Sequence, residues 1–196
     1  MIVKNEENYL PGCLNSIKDV VDEIIIVDTG STDKTIEIAK SFGAKIYYFE
    51  WNNNFSEARN ESLKYATKDW ILIMDADDKF CSEDINQFKT LLNTALDTDA
   101  VYYFETLNYC GSSIENNTIT VNLNPRLFKN NHGFHYEGEV HNQLINSAYE
   151  FKSLCDSIRI YHYGYLDKNI VSKDKRTRNI SLLEEQIRKD STNKYA

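Results

Sequence analysis

The length, composition and charge of the chain limit what kind of protein it is. It has 196 residues, of which 41% are hydrophobic and 27% charged, and its formal net charge is −8. This composition is typical of one ordered globular domain and argues against a disordered chain. The acidic balance argues against binding nucleic acid or an anionic membrane through bulk charge, so a phosphate-bearing ligand needs local groups or a metal to offset it.

The first half of the sequence alternates strand and helix signals. Continuous β-branched runs predict buried strands, and apolar residues repeated every three or four positions predict the helices between them. Ile2–Val3 is predicted to be the last piece of a first strand whose beginning is absent. The elements predicted after it are a helix over 10–21, a strand over 23–28, a helix over 36–42 ended by Gly43, a strand over 44–49, a helix over 55–66, a strand over 69–75, a helix that Ser82 caps and that reaches Ala95, and a strand over 100–106. Short links between alternating elements predict a mostly parallel sheet covered by helices.

The second half of the sequence changes character. Residues 107–135 are rich in Asn, Ser and Tyr and contain short strand-like pieces at Ile119–Leu123 and Arg126–Lys129, which predicts an irregular, partly antiparallel insert. Arg159–Tyr163 is predicted to be a short late strand. A final amphipathic helix is indicated by Arg176, Ile180, Leu183 and Ile187. The predicted division is an α/β half over 1–106, a smaller region of the same domain over 107–168, and a C-terminal helix and tail over 169–196.

The cysteines and the apolar segments indicate in which cellular compartment the protein is expected. The spacing of the four cysteines excludes a CxxC motif or a zinc knuckle, so Cys13, Cys81, Cys110 and Cys155 are predicted to be unpaired, mostly buried thiols in a reducing compartment. No run approaches the ~20 apolar residues of a membrane span. The charged residues that follow Val3 exclude a signal peptide, and the expected location is the cytoplasm.

Two acidic sites follow predicted buried strands. Asp28 ends the strand over 23–28, and Asp75, Asp77 and Asp78 end the strand over 69–75. Open α/β sheets bind ligands at the carboxyl ends of their strands, and Mg²⁺ or Mn²⁺ commonly bridges carboxylates to phosphates. The alternatives are ordinary Asp-Gly turn chemistry at Asp28 and a solvated acidic turn that caps the next helix. The cluster of three carboxylates favours a cation, because their repulsion requires compensation.

At this point the sequence resembles a known family, the family 2 glycosyltransferases of GT-A fold, and within it a bacterial subgroup often followed by tetratricopeptide repeats. The resemblance spans roughly residues 2–188. The motifs that carry it are Val3–Glu7, Glu23–Thr35, Trp51–Asn60, Trp70–Asp77, Arg126–Phe128, Tyr136–His141 and His162–Tyr165. It implies a GT-A, Rossmann-like α/β fold, with residues 1–106 binding a nucleotide-sugar and residues 107–168 on the acceptor side.

The resemblance also implies roles for the matching residues. It places Val3 and Glu6 around the nucleotide base, which Asp28 hydrogen-bonds, and it gives Arg59 a part in holding the nucleotide. It places Asp75 on the ribose, while Asp77 ligates a divalent metal on the diphosphate and His162 completes the metal site. The list of expected nucleotide-binding residues is therefore Val3, Glu6, Asp28, Arg59, Asp75 and Asp77, with Asp77 and His162 as metal ligands. An imidazole ligand favours Mn²⁺ over Mg²⁺.

The general base is the point where this sequence departs from the subgroup. The usual segment ends Gly-x-x-His-Glu, whereas here Asn142 occupies the Glu position, and an amide cannot accept a proton at neutral pH. Glu139 is one candidate base if the segment is helical, and His141 is the other, because imidazole is the side chain best suited to accept a proton near neutral pH. A domain that binds the donor without transferring it efficiently is the third outcome.

The expected function is therefore an inverting, metal-dependent transfer of a sugar from a nucleotide diphosphate, expected to be a UDP-sugar. The acceptor is a hydroxyl of a glycan, a protein or a peptide, and no nucleic acid partner is expected. One alternative is a non-catalytic or degenerate nucleotide-sugar-binding domain. A second is a nucleotidyltransferase, which normally carries a Gly-rich loop with Lys or Arg near its N-terminus that residues 3–10 lack.

Overall fold

The computed structural model describes residues 1–94, 96–166, 180–184, 187 and 188. The strands are β1 (Ile2–Val3), β2 (Ile25–Asp28), β3 (Lys45–Tyr48), β4 (Trp70–Leu72), β5 (Asp78–Phe80), β6 (Ala100–Gly111), β7 (Asn117–Lys129), β8 (Phe134–Glu137), β9 (Gln143–Asn146) and β10 (Lys152–His162). The helices are α1 (Leu10–Ile17), α2 (Thr35–Ser41), α3 (Phe55–Lys64) and α4 (Ile85–Leu92), and a short 3₁₀ helix, Ser82–Asp84, precedes α4.

The strands form three sheets. The first has the order β1-β2-β3 and is parallel throughout, with Val3 in register with Asp28. The second has the order β4-β7-β6-β10-β5, and β8 and β9 form an antiparallel pair of their own. The α/β class is confirmed, and the expected parallel pairing holds in the first sheet. In the second sheet only β6 and β10 are parallel, because strands from the second half of the chain lie between β4 and β5.

The insert expected over 107–135 is antiparallel as predicted, but its strands are long and continuous and not irregular. Strand β6 continues without a break to Gly111 and pairs with β7 in a long antiparallel hairpin. Gly111 makes the sharp end of the hairpin possible, because its φ is +143° and a Cβ there would lie 2.7 Å from the carbonyl oxygen of Asn116. Much of the hairpin is exposed to solvent, so its strands contain many polar residues. The amino-acid composition of such strands resembles that of a loop.

Local signals explain how the helices begin and end. Asn54 caps α3, since its side chain accepts a hydrogen bond from the backbone N–H of Glu57. Gly43 ends α2 with a φ of +72°, as expected. Ser82 was predicted to cap the next helix, but it begins the 3₁₀ helix instead and makes no capping hydrogen bond, and Ala95 lies outside the described residues. In the predicted final helix, 180–184, 187 and 188 are helical and Arg176 is not described.

Apolar side chains cover both faces of the second sheet. Successive residues of a strand point to opposite faces. Ala100, Tyr102 and Phe104 of β6 accordingly join the main core, whereas Val101 joins a smaller cluster with Phe128. The main core includes side chains of α1, α2 and α4, and the smaller cluster packs beneath β8 and β9. The four cysteines are unpaired, as expected; two are buried, Cys110 is half-buried and Cys155 is exposed. No helix among the described residues is long and apolar enough to cross a membrane.

Candidate metal and nucleotide site

The acidic segment Asp75–Asp78 forms a tight turn between β4 and β5. The N–H of Asp78 donates to the carbonyl oxygen of Asp75 at 3.0 Å, and the N–H of Asp75 donates to Oδ2 of Asp78 at 2.8 Å. Asp77 and Asp78 are 6% and 1% exposed. Two buried carboxylates in adjacent positions do not fit the alternative of a solvated acidic turn, because burying charge requires a partner for each group.

Strand pairing brings His162 to this turn. His162 is the last residue of β10 and lies in register with Asp78, the first residue of the antiparallel strand β5. Residues directly opposite in such a pair have side chains on the same face of the sheet. Nδ1 of His162 is 2.8 Å from Oδ1 of Asp78 and 3.6 Å from Oδ1 of Asp77. The structure therefore brings Asp77 and His162 together as the sequence predicted.

Gly164 closes this cluster from the other side. The N–H of Tyr163 donates to the carbonyl oxygen of Asp77 at 3.0 Å, which holds the chain after β10 against the acidic turn. A Cβ on Gly164 would lie 2.5 Å from Nε2 of His162 and 2.6 Å from Oδ2 of Asp77. These two potential ligand atoms thus face the same small space beside a residue without a side chain. Oxygen and imidazole donors around such a space fit a divalent cation such as Mn²⁺.

The charge of this cluster affects His162. Burial lowers the pKa of the imidazole, but the hydrogen bond to Asp78 and the negative charges of Asp77, Asp78 and Asp75 outweigh burial and raise the pKa above its usual value. Asp77, Asp78 and His162 each offer a ligand atom, and these atoms lie within 4.8 Å of one another. The negative charge of Asp77 and Asp78 therefore attracts a cation to the place where the acidic turn, β5 and the end of β10 meet.

Arg59 of α3 compensates the negative charge of Asp75, the first carboxylate of the turn. Its Nη2 donates to Oδ1 of Asp75 at 2.8 Å, and its guanidinium lies 5.5 Å from the ring centroid of Tyr136. Burial raises the pKa of Asp75, but the nearby Arg59, Arg126 and His162 hold that pKa well below its usual range. Asp75 is thus an ionised carboxylate at neutral pH, and one terminal nitrogen of Arg59 is committed to it.

The residues expected around the nucleotide base come together at the carboxyl end of the first sheet. The carbonyl oxygen of Val3 accepts from both the N–H and the hydroxyl of Thr29. Asp28 is 3% exposed and accepts from the N–H groups of Gly30 and Ser31. The N–H of Glu6 donates to the hydroxyl of Thr35 at 2.7 Å. The loops after β1 and β2 are therefore bound to each other, and Asp28 makes the turn contacts that the alternative interpretation foresaw.

The two candidate bases lie in the connection between β8 and β9. This connection, residues 138–142, is not helical, so the condition under which Glu139 and Asn142 share a helical face is not met. Gly138 starts it with a φ of +96°, and the carbonyl oxygens of Gly138 and Glu139 accept from Ser56 and Phe55 at the start of α3. Glu139 is half-buried and His141 is exposed. The helix that carries Arg59 therefore also anchors this connection.

A cavity of about 530 Å³ is lined in part by residues of β2 and β4. Most of the residues that line it are apolar, among them Ile25, Trp70 and Leu72, and the lining reaches Met74, which directly precedes the acidic turn. It includes no carboxylate of the Asp75–Asp78 turn and not His162. The candidate chemistry is thus in the buried cluster at the strand ends and not in this cavity.

Sequence reasoning gave no role to three residues that shape the cluster. Asp78 was noted only as a third carboxylate, and Arg126 only as part of a family motif. Nη1 of Arg126 lies 2.7 Å from Oδ2 of Asp78, and both side chains are almost fully buried. Gly164 was noted only as part of the family motif His162–Tyr165. Arg126 and Asp78 are 48 residues apart, so only the pairing of β7 within the sheet reveals their contact.

The fold and the sequence have relatives among known proteins. Over 98% of this chain, S. aureus TarS 1–349 superimposes with a TM-score of 0.58 and 17% identity, covering 72% of that structure. The chain is 32% identical over 200 residues to the SPbeta prophage-derived glycosyltransferase SunS of Bacillus subtilis, which covers 98% of this chain and 45% of SunS. It is 35% identical over 173 residues to a TPR repeat-containing protein of Synechococcus elongatus, which covers 84% of this chain and 41% of that protein.

The family follows from these comparisons. The sequence model described as glycosyl transferase family 2 matches residues 1–166, and the chain belongs to that family. The chain spans less than half the length of the two curated relatives above. The expected GT-A α/β fold is confirmed by the superposition on TarS.

Proposed function

We propose that this chain is a glycosyltransferase domain that moves a sugar from a nucleotide diphosphate, a UDP-sugar, to an acceptor hydroxyl. The observation that carries the proposal is the buried cluster of Asp77, Asp78 and His162 at the carboxyl ends of the strands, in a chain of family 2. TarS, which shares the fold, has been crystallised with UDP-GlcNAc and with UDP. Such a cluster suits a nucleotide diphosphate, because a divalent cation can bridge the carboxylates of the protein and the phosphates of the ligand.

The proposed cofactor is Mn²⁺ or Mg²⁺, held by Asp77 and His162. The space beside Gly164, which both ligand atoms face, fits a cation and would not remain with a larger residue there. When bound, a divalent cation supplies Lewis-acid stabilisation of the charge that grows on the leaving diphosphate. Asp77 and His162 would orient that diphosphate, which a domain of net charge −8 otherwise repels.

The nucleoside part of the donor is assigned to the carboxyl end of the first sheet. Val3, Glu6 and Asp28 lie on the two loops that are bound to each other there. Asp28 still has acceptor capacity beyond its turn contacts, because a carboxylate accepts about four hydrogen bonds. Asp75, fixed by Arg59, is proposed to accept from the ribose. In this assignment Arg59 acts on the nucleotide chiefly by holding Asp75.

The transfer is proposed to invert the anomeric carbon by direct displacement. The acceptor is a hydroxyl of a glycan, protein or peptide, and a group within ~2.6–3.2 Å must take its proton. We propose His141 for this role, with Glu139 as the second candidate. Both belong to the connection anchored on α3, the helix that also carries Arg59. The cytoplasm is the proposed location.

The decisive experiment measures UDP binding by calorimetry with Mn²⁺ and with EDTA. Wild type should bind UDP at least tenfold more tightly with Mn²⁺, and Asp77→Asn should lose that difference while keeping its circular dichroism spectrum. Asp19→Asn is the matched control, because Asp19 is an exposed aspartate outside the cluster. Equal UDP affinity with Mn²⁺ and with EDTA in wild type would exclude the proposed metal site.

A domain that binds the donor without transferring it is the second candidate, and Asn142 is the observation that favours it. Product analysis by mass spectrometry after incubation with UDP-sugars and glycan or peptide acceptors separates the two. Transfer or hydrolysis of the sugar supports an enzyme. Tight metal-dependent UDP binding with an intact donor after long incubation supports the non-catalytic domain.

A further inference from the structure

The side chain of Asp78 already has protein partners on both of its oxygens. Oδ2 accepts from Nη1 of Arg126 at 2.7 Å and from the N–H of Asp75 at 2.8 Å. Oδ1 lies 2.8 Å from Nδ1 of His162. Oδ2 of Asp77 lies beside Gly164, next to Nε2 of His162. Both oxygens of Asp78 are therefore occupied by groups of the protein, and neither of the distances from Gly164 involves Asp78.

Arg126 explains why Asp78 keeps this position. Arg126 is 4% exposed, and its guanidinium also donates to the carbonyl oxygen of Ile73 and to the hydroxyl of Thr106. A buried guanidinium with three acceptors has one preferred geometry, because each lost bond leaves a buried donor unpaired. Asp78 is consequently fixed between β7 and β10 before any ligand binds.

The fixed carboxylate determines which nitrogen of His162 carries the proton. A carboxylate that accepts from Arg126 and from a backbone N–H offers only acceptor atoms to the imidazole. Nδ1 must then donate to Oδ1 of Asp78, and in the neutral ring Nε2 is left with a free lone pair. Nε2 is the atom that a Cβ on Gly164 would meet at 2.5 Å, beside Oδ2 of Asp77.

We propose that Asp78, held by Arg126, is the positioning residue of the site: it fixes His162 as the Nδ1–H tautomer so that Nε2 and Asp77 face one cation, and it does not ligate that cation itself. This inference rests on the proposed metal-dependent function. In this proposal Asp77 and His162 are the two ligands of the cation, and Asp78 orients His162. Carboxylates behind a metal-binding histidine typically contribute 10–100-fold in metal affinity.

The tautomer is tested first, on the metal-free full chain. Nitrogen-15 NMR of the histidine rings, at a pH where His162 is neutral, distinguishes a protonated Nδ1 from a protonated Nε2, and the His162→Gln variant assigns the signals. Wild type should show Nδ1–H, and Asp78→Asn should shift the ring toward a mixture. A wild-type ring that carries its proton on Nε2 would overturn the proposal, and this measurement needs no variant of Asp78 to fold.

Metal affinity is tested second, by electron paramagnetic resonance of Mn²⁺ in the presence of UDP. Asp78→Asn should weaken Mn²⁺ binding roughly 10–100-fold, less than Asp77→Asn, which should abolish it. The control is Asp84→Asn, because Asp84 is a second buried aspartate that pairs with an arginine, Arg159, at 2.7 Å without contacting His162. That variant should bind Mn²⁺ like wild type.

The remaining outcomes decide against the proposal or against the function on which it rests. If Asp78→Asn abolishes Mn²⁺ binding while the His162 tautomer stays unchanged, Asp78 is a ligand and the inference is wrong. It is also wrong if Asp78→Asn binds Mn²⁺ as tightly as wild type does. If wild type binds no Mn²⁺ with UDP, the proposed metal dependence fails, and the Nδ1–H result still reports separately on the Asp78–His162 pair.

Discussion

Gly164 lies so close to His162 that a methyl group on it would stand 2.5 Å from Nε2 of the ring. Real Cβ atoms do not approach other atoms that closely, so either the ring or the neighbouring Asp77 must move to admit one. The atoms that a Cβ would meet belong to the side chains of His162 and Asp77, the two proposed cation ligands. Glycine is therefore needed at residue 164 to leave room for these side chains, and not because of an unusual backbone conformation.

We expect Gly164→Ala to weaken Mn²⁺-dependent UDP binding at least tenfold while the domain stays folded. The physical reason is that ligand atoms must stay within tenths of an ångström of their positions to bind a cation well. Calorimetry with Mn²⁺ and UDP measures the loss. Gly12→Ala is the control, because a Cβ on Gly12 meets nothing within 4 Å and alanine is the better residue in a helix. Unchanged affinity in Gly164→Ala would contradict the assigned cation position.

The ion pair between Arg59 and Asp75 gives a prediction about stability. The two side chains are 16% and 32% exposed, so removing one partner leaves the other poorly compensated. We expect Arg59→Gln and Asp75→Asn each to lower the free energy of unfolding by about 1–3 kcal/mol, the cost of leaving a buried polar group without its partner. The double variant should lose less than the sum of the two. Urea denaturation of the four proteins measures the coupling.

A surface ion pair serves as the comparison for this cycle. Lys64 and Glu61 form a pair within α3 whose lysine is 67% exposed and whose glutamate is 17% exposed, and pairs with a solvated partner contribute about 0–1 kcal/mol. The cycle for Lys64→Gln and Glu61→Gln should therefore show a coupling near zero. If the Arg59–Asp75 coupling is no larger than this, the pair contributes nothing to holding α3 on the acidic turn.

Asp28 is predicted to act on the nucleotide and not on the acceptor. Asp28→Ala should weaken UDP as much as it weakens the UDP-sugar, because the loss is in contacts to the base. Since Asp28 also accepts from Gly30 and Ser31, its removal should cost some stability as well. Calorimetry on the folded variant, with thermal unfolding measured in parallel, separates these effects. Normal binding of free UDP by Asp28→Ala would show that the assignment is wrong.

The identity of the base is tested by rate against pH. We expect His141→Ala to slow transfer by at least the ~100-fold typical of general-base removal, and Glu139→Gln to have a smaller effect. The carbonyl oxygen of Glu139 accepts from the N–H of Phe55, and Glu139→Gln should leave this backbone hydrogen bond to α3 intact. Two results would reassign the role: neither variant slows transfer, or Asn142→Glu converts an inert domain into an active one.

Glu23 gives a prediction about stability at acidic pH. Burial raises its pKa, but hydrogen bonds from Lys45 and from the N–H and hydroxyl of Thr67 outweigh burial and bring the pKa to about 2. A carboxylate with a lowered pKa stabilises the fold above its unfolded pKa of about 4.3, and this stability is lost as the pH falls toward 2.

We therefore expect Glu23→Gln to lower the free energy of unfolding by about 1–2 kcal/mol at pH 7, with the difference from wild type shrinking between pH 4.3 and 2. The figure allows for solvent screening, because the Lys45 side chain is 53% exposed. Urea denaturation at a series of pH values measures it. Glu7→Gln is a useful comparison, since its carboxylate bonds only the exposed N–H of Lys34. A pH-independent difference would contradict the proposed cause.

The sequence by itself determined the elements of the first sheet and the positions of the carboxylates at the strand ends. Continuous β-branched runs form strands in most surroundings, and an aspartate after such a run lies at a strand end whatever the rest of the chain does. It also indicated His162 as a partner of Asp77, through the family resemblance. These features depend on neighbours along the chain, which the sequence contains directly.

Only the tertiary structure decided which carboxylate meets which partner. His162 is 84 residues from Asp78, and one step in the register of β5 and β10 would turn its ring to the other face of the sheet. The full length of the β6–β7 hairpin was likewise not predicted, because its polar residues form strands through cross-strand pairing and not through local preference. The contacts of Arg126 and Gly164 arise from that pairing as well. The register between two strands is set by the packing of the whole sheet, and it cannot be predicted from a local pattern of residues.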